Sequence, residues 1–178
     1  MKSVKKISLA VALLVLAVSI SAQSNFGIRA GLNTSSYNGV DGFDYKPGFN
    51  VGVAAQFALA PSMGIESGLY FSSLGAKLGD ESVNAYYLQL PVAYYYKFNV
   101  GLDLDLYPSA GIYLGYGLTG DDDYFDYAEK FDMGATVGLT LQYSKFTIGL
   151  GYDYGFLKVF DGGDATNSNI KVSVGYFF

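Results

Sequence analysis

From Asn25 onward the chain repeats one pattern: about ten residues in which apolar side chains alternate with polar or small ones, then a break. A period of two is the signature of a strand with two unlike faces. The apolar members are Phe26, Ile28, Ala30 and Leu32 in the first stretch, then Phe49, Val51, Val53, Ala55 and Phe57 in the second. Ile65, Leu69 and Phe71 follow, with Ser67 as a weak spot, and the fourth set runs Tyr86, Leu88, Leu90, Val92, Tyr94, Tyr96, Phe98. Four cleaner stretches cover 104–116, 133–143, 146–156 and 170–178. The expected fold is therefore all-β.

The other face decides between water and lipid. It carries Gly27, Arg29, Gly31 and Asn33 in the first stretch, and Gly134, Thr136, Gly138, Thr140 and Gln142 in the sixth. A soluble barrel turns long charged side chains outward and keeps an apolar interior. Here the non-apolar face is mostly small and uncharged, which suits the crowded inside of a narrow barrel. Polar inside and apolar outside is the membrane arrangement. The expectation is an eight-stranded antiparallel up-and-down transmembrane β-barrel.

The breaks alternate in length, an independent sign. Short ones fall at 60–62, 99–101 and 144–145, and long ones at 34–46, 75–84, 119–130 and 157–168. Outer-membrane barrels have short periplasmic turns and longer extracellular loops, so both termini are expected on the periplasmic side. Phe26, Phe57, Phe98, Tyr143, Phe146 and Phe178 fall at the short-turn ends of the stretches, while Phe49, Phe71, Tyr86, Tyr116, Tyr154 and Phe156 fall towards the other ends. Two aromatic girdles at the membrane interfaces are expected from them.

Residues 1–24 read as a secretory leader. Lys2, Lys5 and Lys6 precede an apolar run over 7–20, and Ser19, Ser21 and Ala22 are small residues near its end. The run falls short of the roughly 20 residues a spanning helix needs. Cleavage after Ala22, with Ser21 as the alternative, divides the chain into a signal peptide at 1–22 and a barrel domain at 23–178. The location expected is a Gram-negative outer membrane.

Composition narrows the chemistry. The chain has no Cys and no His, which removes disulfides, thiolate metal sites, a lipid anchor on Cys and the commonest general base. A formal charge of −5, about −8 without the leader lysines, speaks against nucleic acid as a partner. No cofactor is expected. Arg29, Glu66, Lys97, Asp103, Asp105, Asp153 and Lys171 all point inward. Buried charges are costly unless paired, so a structural network is expected rather than a carboxylate active site. Lys97 would face Asp103 around the 99–101 turn, and pairing Phe146 with Phe178 would set Asp153 opposite Lys171. Tyr87, Gln89, Tyr95, Tyr107 and Tyr113 are bulky inward residues that would plug the lumen.

The long connections hold Asp41, Asp44, Asp80, Glu81, Asp121, Asp122, Asp123, Asp126, Glu129, Asp161 and Asp164, against Lys46, Lys77, Lys130 and Lys158. Tyr37, Phe43, Tyr45, Tyr124, Phe125, Tyr127 and Phe160 lie among them, and exposed aromatics are frequent binding anchors. An extracellular protein, or cations bridging to lipopolysaccharide, is the partner this surface suits. Asp121, Asp122, Asp123 and Asp126 are weak candidates for a divalent cation, since their spacing lacks the Gly of a calcium loop.

The segments NFGIRAGLNTS, NAYYLQLPVAYYYKF and IKVSVGYFF resemble the small outer-membrane β-barrel proteins of Bacteroidetes called PorT-like. The closing alternation of Val172, Val174, Tyr176 and Phe178 resembles the signal read by the barrel-assembly machinery. The resemblance implies the fold, the place, contact with outer-membrane lipid and passage through that machinery. The function expected is a non-enzymatic structural or surface-loop interaction role. A small channel or transporter, or an accessory part of a secretion complex, is the alternative.

Overall fold

The computed structural model describes residues 23–39, 42–78, 81–121, 124–160 and 164–178. The signal peptide expected at 1–22 lies outside them. In chain order the elements are β1 (Gln23–Asn38), β2 (Phe43–Asp44), β3 (Lys46–Ala60), β4 (Met63–Leu78), β5 (Glu81–Tyr96), β6 (Phe98–Gly101) and β7 (Leu104–Gly120). A single-turn helix α1 (Tyr124–Tyr127) precedes β8 (Phe131–Tyr143), β9 (Phe146–Lys158) and β10 (Thr166–Phe177).

All pairings are antiparallel, in the order β4-β3-β1-β10-β9-β8-β7-β5, and β4 pairs with β5 to close the ring. β6 continues β5 past Lys97, and β2 is a two-residue addition on β4, so the barrel has eight staves. Closure leaves no sheet edge, which hydrocarbon demands because it offers backbone groups no partner. The seam joins the first and last staves over Gly27↔Phe177 to Asn38↔Thr166, and the Phe178 N–H donates to the Phe26 carbonyl beyond it.

The alternation translates into facing as expected. Ile28, Leu32, Val53, Ile148, Leu150, Val172 and Val174 are exposed on the outside, while Asn33, Asn50, Gln89, Thr136, Thr140 and Asp153 are buried within. Tyr143 pairs with Phe146 across Ser144–Lys145, both pointing outward. Phe26, Phe98, Tyr143, Phe146 and Phe178 form an exposed aromatic rim at the short-turn end. Phe57 does not join it: it is buried, edge-on to Phe26 at 6.4 Å.

Four further sequence expectations need correction. The staves continue into the long breaks, with β1 reaching Asn38, β4 reaching Leu78 and β5 starting at Glu81. Backbone groups go on pairing after the lipid-facing alternation fades, because a strand needs partners above the apolar band as well. The second short turn is not at 99–101 but at Leu102–Asp103, where Asp103 takes a positive φ of 58°. β10 sits two residues from the expected register against β9, with Tyr176 rather than Phe178 opposite Phe146. Finally, Lys46 is buried at the start of β3 instead of lying in a solvated loop.

Candidate functional site

Among the described residues, most of the buried polar and charged side chains converge in the lumen, which is built in layers. Nearest the short turns, the Lys97 Nζ meets an Asp105 oxygen at 2.8 Å, and the Asn99 amide donates to Asp105 at 3.1 Å. Asp103, the partner expected from the sequence, lies in the exposed turn. The positive φ there turns the chain two residues later than spacing alone suggests, which brings Asp105 into register with Asn99. Tyr95 and Tyr107 pack edge-to-face above this pair at 5.4 Å.

The next layer is a fork. Arg29 donates from both terminal nitrogens to the two Glu66 oxygens, at 2.7 and 3.2 Å, and Gln56 Nε2 adds a third bond to Glu66 at 3.1 Å. Gln56 stands opposite Glu66 across β3–β4, while Arg29 reaches from β1 two staves away. Bidentate pairing fixes orientation as well as charge.

Farther in, Asp153 accepts from Thr136 at 2.7 Å, from Lys171 Nζ at 2.7 Å and from Asn169 at 3.4 Å. Direct cross-strand pairing sets Asn169 opposite Asp153 and Gly151 opposite Lys171. The ion pair forms diagonally because the lysine stem covers the two-residue offset. Asp132, which sequence reasoning missed, is buried beyond it, accepting from Tyr113 OH and Asn167 Nδ2 at 2.9 Å each. Its signal was present: Asp132 precedes Met133 by one, so it has inward parity at the end of the sixth stretch.

The loop end is closed by a cluster of aromatic and small residues. Tyr37, Leu74, Ala76, Ala85, Tyr87, Tyr124, Ala128, Val159 and Ala165 are buried together, with Val83, Phe125 and Phe160 packed against them. The Tyr37 and Tyr124 hydroxyls share a hydrogen bond of 2.6 Å, Phe160 stacks edge-on against both rings, and Phe125 packs on Tyr87 at 5.6 Å. Burial first, then the nearby phenols Tyr37 and Tyr87, push the Tyr124 hydroxyl well above the ordinary tyrosine range, so it stays neutral.

This overturns the expectation of exposed anchors for four of the seven loop aromatics: Tyr37, Tyr124, Phe125 and Phe160 are spent on the cap, because α1 folds inward over the mouth. Tyr45 remains exposed. Of the acidic run, Asp121 accepts from the backbone and side chain of Asn84. Asp122 and Asp123 lie outside the described residues, as do Asp41, Asp80 and Asp161, and Asp126 is described only as backbone of α1. The exposed Asp164 pairs with Lys158 at 2.8 Å, and that bond, with the lysine charge, holds its carboxyl below the usual range. Val172, Val174, Tyr176 and Phe178 share the outward face of the last stave, with Tyr176 packed between Phe146 and Phe178.

A closed ring with an apolar outside, a polar inside and an aromatic rim has the form of a lipid-embedded barrel, and the sequence agrees. Residues 19–161 match the family described as outer membrane protein beta-barrel domain. The chain belongs to that family. As a member it is a protein of the outer membrane, and its eight-stave ring has solved counterparts.

Neisserial surface protein A is 16% identical, with 86% of this chain aligned to 97% of that one at a TM-score of 0.56. OprG of Pseudomonas aeruginosa is 14% identical over 88% and 97%, TM-score 0.51. The outer membrane enzyme PagL is 12% identical over 84% and 98%, TM-score 0.59. At such identities the likeness is one of fold. No curated protein matches the sequence.

Proposed function

We propose that this outer-membrane barrel is non-enzymatic and non-conducting, stabilising the envelope and presenting its long-loop end to a partner. The observation that carries the reading is the lumen, crossed by the Arg29–Glu66–Gln56 layer, the Asp153–Lys171 layer and the aromatic cap. An ion passing through would have to break salt bridges and displace a buried cluster in turn. Enzymatic chemistry finds little support in a chain without His or Cys, whose inward carboxylates are held in ion pairs or hydrogen bonds.

The barrel is oriented with the short turns and both ends of the described chain in the periplasm of a Gram-negative cell, following the loop-length rule for such barrels. The partner surface is the acidic loop end, where Asp44, Asp121, Glu129 and Asp164 are exposed. A basic protein, or cations bridging to lipopolysaccharide, fits that charge. The PorT-like resemblance is the finer family reading and keeps a secretion-complex role as the second candidate. Planar-bilayer recording tests the main proposal. Purified barrel should give no steady conductance, and a stable open channel would overturn it.

A further inference from the structure

Between the Arg29–Glu66 layer and the Tyr113–Asp132 layer the lumen widens into a chamber of about 90 Å³. Its volume comes from the sequence: Gly138, Gly149 and Gly151 present no side chain from β8 and β9, so that wall recedes. A Cβ on Gly149 would come to 3.0 Å from Ser173 Oγ and 3.3 Å from Thr140 Oγ1, which shows how closely hydroxyls ring the space. On the facing wall, Asn50 and Ser72 are directly paired neighbours of β3 and β4. Both are almost fully buried, both line the chamber, and neither Asn50 Nδ2 nor Ser72 Oγ has a protein partner. Two adjacent orphaned polar groups in a roomy polar cavity point to a guest that hydrogen-bonds them, since a buried polar group left unsatisfied loses the bonds it makes in water.

The charges select the guest. Arg29 is matched by Glu66, and Lys171 by Asp153, so an entering ion would lose its hydration with no counter-charge left to meet it. The space is ample for a small cluster of water, since a single molecule needs only about 10–15 Å³ of such volume.

The two ends of the chamber are unequal. Towards the short turns a single polar layer separates it from an open vestibule of about 610 Å³, and Gln56 lines that vestibule while bonding Glu66. Towards the loops stand the Tyr113–Asp132–Asn167 layer and, behind it, the packed aromatic cap. We propose that the chamber is a water-binding site of the barrel, holding Asn50 and Ser72 through a small water cluster and exchanging with solvent only through the short-turn vestibule past Gln56.

The absence of native cysteine makes the test direct. In folded, detergent-solubilised barrel, magnetisation transfer from water should reach the Asn50 side-chain amide; no transfer would overturn the site. For the route, Ser72→Cys is labelled with neutral methyl methanethiosulfonate and followed by mass spectrometry, with Ser109→Cys on the same chamber as the substitute should Ser72→Cys not fold. Labelling is expected to be slow but measurable and to rise about tenfold with Gln56→Ala, while Tyr124→Ala leaves it unchanged. Faster labelling with Tyr124→Ala, labelling indifferent to both changes, or none at all would overturn the one-sided route.

Discussion

Arg29 shows how much one residue carries in this interior. Its guanidinium and the Glu66 carboxylate are little exposed, with side-chain exposures of 11% and 18%, and they hold each other through both nitrogens. Removing one member leaves the other charge buried without its partner, which costs about 3–5 kcal/mol, whereas replacing both with apolar groups is close to neutral. Arg29→Met should therefore destabilise the barrel by about that amount in urea unfolding in lipid, and adding Glu66→Leu should recover most of the loss. A double variant as unstable as the single would show that the charge pair is not the source. That Arg29 and Glu66 face inward was legible from alternation alone; the acid that Lys97 finds was not. Lys97 chooses Asp105 over Asp103 because a turn shifted by two residues, and Asp153 keeps Lys171 despite a register offset, because a long flexible cation tolerates one.

At the scale of elements, the outward faces of the staves were readable because lipid demands apolar side chains at every second position. The stave ends were not, since above the apolar band the pattern is released while the pairing persists. β4 illustrates this: it runs to Leu78, well past its last outward aromatic, Phe71. Gly75 lies in that extension with φ 144°, a conformation that L side chains rarely adopt, and a Cβ there would collide with the Val83 carbonyl on the neighbouring stave. Ser35 grips the same residue from β1, its hydroxyl donating to the Gly75 carbonyl at 2.8 Å and accepting from the Gly75 N–H at 2.9 Å. Gly75→Ala should cost about 2 kcal/mol and lower the temperature at which the folded gel band disappears. Ala76→Gly next to it, which adds freedom without a clash, should cost no more than about 1 kcal/mol. Equal losses in the two variants would remove the backbone argument. The cap was hidden for a related reason: Tyr37, Tyr124 and Phe160 look like free loop aromatics in a sequence, and only the inward turn of α1 reveals them as packing.

For the molecule as a whole, two arrangements remain to be tested, its sidedness and its seal. The staves put Leu102 at the tip of a short turn and Asp164 beside a long connection at the opposite end, both exposed. With the short turns periplasmic, a thiol reagent that does not cross the membrane should label Asp164→Cys on intact cells and leave Leu102→Cys untouched; the reverse pattern would invert the barrel. The seal follows from layers in series. Resistances in series add, so opening one layer leaves the ion facing the others. Tyr124→Ala removes the hydroxyl that meets Tyr37 and the ring that holds Phe160, yet the Asp153–Lys171 and Arg29–Glu66 layers still cross the lumen. Arg29→Met with Glu66→Leu removes an ion pair and leaves the cap packed. Each change alone should keep planar bilayers silent, and only the combination of cap and charge variants should yield brief openings. A steady current from Tyr124→Ala alone would mean that the cap is the whole barrier and the ion pairs below it leave a continuous path.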